Sequence, residues 1–330
     1  MGSIPKIVST PLKWASKKIL DRTLLRFPRG DAQSPIACTY CPEMCRFSCP
    51  TAVVSGNDAV TPLNKMSLLY KEDRWPNSVS SLGELWPLYD CTGCGRCTDY
   101  CVYGMPVADR LFQARSEFQW GNARQAALEM TPELDPYGDL AFELGDLKGS
   151  QQRLDQLKSA GQEVKVAEPK SLHFLKSHGV EARLSWEGEL RASPHQAILD
   201  SLSGKRWLIH ESVWLSRRLQ KFQEVSSWIE TALRLDVKFV VPFANGKDCI
   251  DCGGEGAYAK LFPKQARQMA LDFWERDQHQ ADGVFCFSQR CASHLKSSLS
   301  DTSISSAVSI VVCLSRNASS KDRAWLRFLG

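Results

Sequence analysis

Cys91-Thr92-Gly93-Cys94-Gly95-Arg96-Cys97-Thr98-Asp99-Tyr100-Cys101 sets four cysteines in the order C-x2-C-x2-C-x3-C. Three thiolates at such short intervals can wrap one corner of an iron–sulfur cube, while the fourth sits on the following turn and points elsewhere. Gly93 and Gly95 suit that task. A loop curling tightly around a cluster needs backbone without Cβ crowding, and its amides must face the sulfurs instead of being buried unpaired. A second burst lies upstream at Cys38, Cys41, Cys45 and Cys49, and ends directly on Pro50. Two such bursts in one chain are the arrangement in which each fourth cysteine crosses to the other cluster. The spacing therefore predicts two 4Fe-4S clusters, one on Cys38, Cys41, Cys45 and Cys101, the other on Cys91, Cys94, Cys97 and Cys49.

Eight cysteines could instead hold structural zinc, but zinc ribbons pair two C-x2-C knuckles and do not need triplets with a displaced fourth. The bursts also differ from one another. The first is spaced C-x2-C-x3-C, one residue wider than the second, and Cys101 lacks the adjacent proline, the next being Pro106.

The rest of the chain frames these bursts. Its 330 residues, 43% of them hydrophobic, suffice for two or three cores. Lys and Arg number 41 against 37 Asp and Glu, an excess too small and too evenly spread to point to nucleic acid. Thirteen cysteines, mostly at ligand spacing, point to a reducing compartment rather than to a secreted disulfide scaffold. No apolar run reaches the length of a membrane span, and the expected location is the cytoplasm.

Residues 1–30 are basic, with Lys6, Lys13, Lys17, Lys18, Arg22, Arg26 and Arg29 against Asp21 alone, and Leu20, Leu24 and Phe27 fall at helical spacing. Such a helix could lie peripherally on the inner face of an anionic membrane or dock on a partner; packing on the cluster domain with a solvated basic face is the alternative. Between the bursts, Thr61-Pro62 reads as a helix start, cap then first turn, running through Lys71. A short helical stretch follows near Leu82 to Leu88, and Val107 to Ala127 reads as one long helix. Breakers and acids from Thr131 to Asp139 mark a linker over 128–155, with a charged helix from Ser150 to Ala160.

Beyond the linker the pattern alternates. Strands are expected at Val164 to Ala167, Val180 to Leu184, Trp207 to His210, Val237 to Phe243 and Val284 to Phe287. Helices are expected at Leu172 to His178, His195 to Leu202, Trp214 to Leu233, Tyr258 to Gln278 and Cys291 to Leu299. This is an α/β pattern with a largely parallel sheet. The fold class is thus α+β and multidomain: residues 1–127 an α-helical two-cluster domain, residues 156–330 an α/β region.

Two bursts with a long helical spacer, followed by Cys252-Gly253-Gly254 and a later Cys291, resemble the iron–sulfur subunits of the heterodisulfide reductase and glycolate oxidase type. That family joins a helical two-cluster ferredoxin domain to modules built on C…C-C-G…C-x-x-C. The resemblance runs over 38–118 and, more thinly, over 160–315. Asp251 occupies the first position of the C-C-G triplet, Ser288 replaces the cysteine three before Cys291, and Val213 stands where a cysteine follows the histidine of His210-Glu211-Ser212. The disulfide-cleaving cluster of that family needs several converging thiolates, so disulfide reduction is not expected here. Cys249, Cys252, Cys286 and Cys291 remain at shifted places, as a possible extra metal site or as free thiols near a relic site. Cys313, in the apolar run Val308 to Leu314, reads as a small core hydrophobe.

The resemblance implies an electron-transfer subunit that takes electrons from a flavin-containing dehydrogenase subunit and hands them to a quinone-reducing component or electron-acceptor protein. Two alternatives stand beside it: a catalytic thiol or cluster site in the α/β region, and a protein whose metal ions are purely structural. Arg46 and Arg96 lie inside the ligand loops, and His210 and His294 could flank the shifted cysteines, although satisfied structural histidines are the commoner outcome.

Overall fold

The computed structural model describes residues 35–300 and 311–313, apart from 40, 42, 80–84, 119, 131–134, 189–199, 201, 243 and 278–280. The basic segment 1–30, the start of the stretch near Leu82, most of the helix expected at 195–202 and the side chain of Cys313 lie outside the described residues.

Up to residue 160 the described chain is helical. Thr61 caps the helix Pro62–Arg74, its Oγ1 accepting from the Asn64 amide. That helix turns Leu63, Met66 and Leu69 inward at helical spacing. The long helix expected over 107–127 is two helices, Val107–Arg115 and Gly121–Leu128. Tyr89, from the helical turn Trp86–Tyr89, makes the difference. Its hydroxyl donates to the Arg115 carbonyl at 3.0 Å and accepts from the Trp120 amide at 3.4 Å, replacing helix-ladder bonds on both sides of the break. Trp120 then stacks flat on Phe262, with centroids 5.7 Å apart.

The charged helix runs over Leu147–Ala160, with Asp146 accepting from the Gly149 amide at its start. After it come two small parallel sheets. β1 (Val164–Val166) pairs with β2 (Ala182–Leu184); the second sheet has the order β4-β3-β5-β6, from Lys238–Val240, Arg206–His210, Gly283–Cys286 and Val311–Cys313. All five expected strands overlap observed ones. β5 is buried along its whole length and β3 from Trp207 on, as inner parallel strands covered on both faces must be. Trp228, on the helix Phe222–Arg234, stacks on Phe285 at 5.4 Å and helps fill one face.

Two further expected helices are divided. The stretch 214–233 becomes a π turn at Trp214–Arg218 and the helix Phe222–Arg234, separated by Gln220 at φ 55°. Tyr258–Leu261 and Pro263–Asp277 part at Phe262, because the residue before a proline is pushed out of the helical region.

The fold is mixed helix and sheet, as the alternating pattern predicts. The core of the helical region is not closed by its own residues, however. Met66, Leu69, Leu88 and Leu111 pack in one apolar cluster with Ala257, Tyr258, Phe262, Ala266 and Met269 from the far end of the chain. No helix among the described residues is long and apolar enough to cross a membrane.

Candidate functional site

The two cysteine bursts fold against each other so that their fourth members change places. One cavity is lined by Cys38, Cys41, Cys45 and Cys101; a second is lined by Cys49, Cys91, Cys94 and Cys97. Cys97, Pro62 and Val107 wall both, so the cavities are neighbours. All four thiols expected for each quartet come together, and none of the twelve cysteines described is in a disulfide.

The backbone of the second burst explains its glycines. Gly93 and Gly95 sit at φ 78° and 74°, and a Cβ on Gly93 would stand 2.6 Å from the Phe112 ring and 2.7 Å from the Trp214 indole. Only glycine fits both the left-handed turn and the close approach. Cations that the sequence did not single out hold the loop. Buried Arg115 donates to the carbonyls of Leu88, Tyr89, Cys91 and Glu143. Arg217 donates to the carbonyls of Cys94 and Cys249, and Lys65 Nζ to the Asp90 carbonyl and Thr51 Oγ1, with Thr51 Oγ1 itself 3.3 Å from Cys49 Sγ.

Cys38, Cys45 and Cys97 resist ionisation as they stand. Burial, then the charges of Cys101, Cys45 and Cys41, pushes Cys38 up to about 12; burial, then Cys41, Cys101 and Cys49, pushes Cys45 up to about 11. Cys97 is raised well above the ordinary thiol range by burial and then by Cys94, Cys91 and Cys49. Four sulfur donors around one void are a set that a soft, multiply charged metal centre would hold as thiolates. The donors therefore fit a thiolate-bound metal cluster. Arg46, by contrast, is 44% exposed and paired with Asp58.

The later cysteines are distributed differently. Cys249 packs in a small apolar cluster with Cys94, Phe112, Val213 and Trp214, beside the second cavity. Cys286 closes β5, in register with His210 at the end of β3. Cys252 and Cys291 converge instead on His210, one ligand atom from each lying within 4.8 Å of the others. His210 is thus drawn into a cysteine cluster, and its Nε2 is buried with no hydrogen-bond partner among the described residues. Burial would lower its imidazole, yet the adjacent Cys252 outweighs burial and raises it. Burial alone would raise Cys252, but Cys291 and His210 together hold it well below the usual thiol range.

Asp251, Ser288 and Val213 have polar or apolar work of their own. Asp251 Oδ1 accepts from the Gly253 amide at 2.8 Å; Ser288 Oγ donates to Glu168 and accepts from the Cys291 amide, capping the helix Gln289–Ser300; Val213 is core. In the Asp251 to Gly256 loop, a Cβ on Gly254 would lie 2.5 Å from His294 Cβ, which accounts for that glycine by packing. Comparison with protein-family models, curated proteins and solved structures finds no match for the chain.

Proposed function

We propose that this chain is an iron–sulfur electron-transfer subunit of a larger oxidoreductase, with one 4Fe-4S cluster on Cys38, Cys41, Cys45 and Cys101 and a second on Cys49, Cys91, Cys94 and Cys97. The observation that carries the reading is the crossing of Cys49 and Cys101: each leaves its own burst and completes the other's quartet. Structural zinc would not need two neighbouring cavities with a shared cysteine wall; a relay for single electrons benefits from that proximity.

When bound, such clusters supply one-electron uptake and release. The protein's part is distance, burial and charge. Cys94 and Cys97 are nearly closed to water, and Arg115, Arg217 and Lys65 place positive charge and fixed donors around the second quartet. Positive charge and a dry site both set the potential of a cluster. At the first quartet, Met44, Phe47, Val102 and Tyr103 stand exposed next to Cys45 and Cys101, an apolar rim through which a redox partner can approach.

The resemblance to subunits of the heterodisulfide reductase and glycolate oxidase type makes a flavin-containing dehydrogenase the electron donor and a quinone-reducing component or carrier protein the acceptor. The basic segment 1–30 is then the natural anchor to a partner or to an anionic membrane face in the cytoplasm. Stoichiometric reductive titration of protein purified without air tests the role. Expected is uptake of about two electrons per chain, returned to a soluble one-electron acceptor; a colourless protein that takes up none would remove the proposal.

A further inference from the structure

His210, Cys252 and Cys291 reach one point from three separate loops. His210 closes β3, Cys252 follows β4 beyond the turn Gly246–Asp248, and Cys291 lies in the first turn of the helix after β5. These are the carboxyl ends of parallel strands, where open α/β sheets gather their sites. The three side chains are at most 2% exposed, and their ligand atoms lie within 4.8 Å of one another. A tetrahedral zinc ion, with bonds of about 2.3 Å to sulfur and about 2.0–2.1 Å to nitrogen, sets its ligand atoms about 3.5–3.8 Å apart. Small side-chain rotations bring the three into one coordination shell.

The surroundings are buried and polar. His210 Nε2 and Glu255 Oε1 are buried without a hydrogen-bond partner among the described residues. The carboxylates of Asp251 and Glu255 act electrostatically on His210, as does Cys252. One imidazole and two thiols gathered in a dry interior are a donor set that a positive ion would draw together. The loop is also built to stay where it is: Gly254 lies too close to His294 for any side chain, and Asp251 Oδ1 fixes the Gly253 amide.

We infer that His210, Cys252 and Cys291 form a third metal site, for one divalent ion of zinc type, separate from the two thiol quartets. Two thiolates and one imidazole select zinc over the hard cations. They leave the fourth position to water or to a carboxylate, those of Asp251 and Glu255 acting electrostatically on His210. A small cavity lined by His210, Glu211, Asn245, Cys249 and Phe273 among others adjoins the histidine.

Metal analysis with zinc-edge X-ray absorption on the full chain, purified without air from zinc-supplemented medium, tests this. The expected result is about one zinc per chain, with two sulfurs at about 2.3 Å and two nitrogen or oxygen donors at about 2.0–2.1 Å. Cys291→Ser and His210→Gln should each cut zinc retained after brief chelator treatment by about tenfold or more, leaving iron, sulfide and visible absorbance unchanged. No zinc, zinc retained in both variants, or an all-sulfur zinc shell, which would put the metal in a thiol quartet, overturns the inference. The absorption measurement on the unaltered chain decides the matter if the variants do not fold. Loss of the iron reading alone leaves a zinc shell of mixed donors intact, so the two proposals fail separately.

Discussion

Cys91, Cys94 and Cys97 are delivered by one tight loop, whereas His210, Cys252 and Cys291 are delivered by three loops with whole strand–helix units between them. In the first region the ligand spacing is written into consecutive residues, and local backbone geometry, with glycine at positive φ, does the positioning. In the second the sheet does it, by ending β3 and β5 side by side with His210 and Cys286 in register. A local site is readable from spacing and is expected to tolerate little change within its loop. A topological site leaves no spacing signature and depends on the sheet behind it.

Breaking the local region should have the largest effect. Cys97 walls both cavities, so Cys97→Ala is expected to lower iron from about eight to about four or fewer per chain, with the visible absorbance falling at least in proportion. Arg115→Met sharpens the comparison by loosening the loop without touching a thiol. It strands four buried carbonyls that the guanidinium now serves, at a cost of about 3–5 kcal/mol. Chemical denaturation of the purified protein would read this as a lower midpoint at unchanged slope.

The seam between the regions gives the smallest effect. His173 lies against Trp214, whose indole covers Gly93. Burial, then the nearby Arg218, lowers the His173 imidazole to about 4. Its unfolded counterpart takes up a proton near pH 6.5, so this group contributes nothing to pH dependence above that value. As pH falls from 6.5 towards 4 the unfolded chain gains a proton that the folded chain refuses, and stability drops. Between pH 7 and pH 5 the loss is expected to be about 1 kcal/mol after allowance for partial exposure, and His173→Gln should flatten that limb in denaturation curves taken at both pH values.

What the sequence discloses follows the same division. The bursts, the Thr61-Pro62 helix start and the five apolar strand runs are local patterns, and each is found at or near its expected place. The breaks at Ser116–Trp120 and at Gln220 are not local: the first depends on the Tyr89 hydroxyl, distant in sequence, and no helical pattern in the residues themselves announces it. The convergence of His210 with Cys252 and Cys291 is the strongest case. Position at the carboxyl ends of neighbouring parallel strands was the available signal, and ligand spacing could not supply it. The burial of Arg115, Lys65 and Lys170 is not legible in the sequence, because a lysine or arginine is ordinarily solvated and only the fold encloses these three.

The crossed quartets are tested most directly by low-temperature electron paramagnetic resonance of the dithionite-reduced chain, purified without air, together with Cys49→Ser and Cys101→Ser. The account predicts two interacting reduced centres in the unaltered chain; Cys49→Ser should perturb only the centre on Cys91, Cys94 and Cys97, and Cys101→Ser only the one on Cys38, Cys41 and Cys45. Absence of any reducible paramagnetic centre, or each substitution perturbing the centre of its own burst, would contradict it.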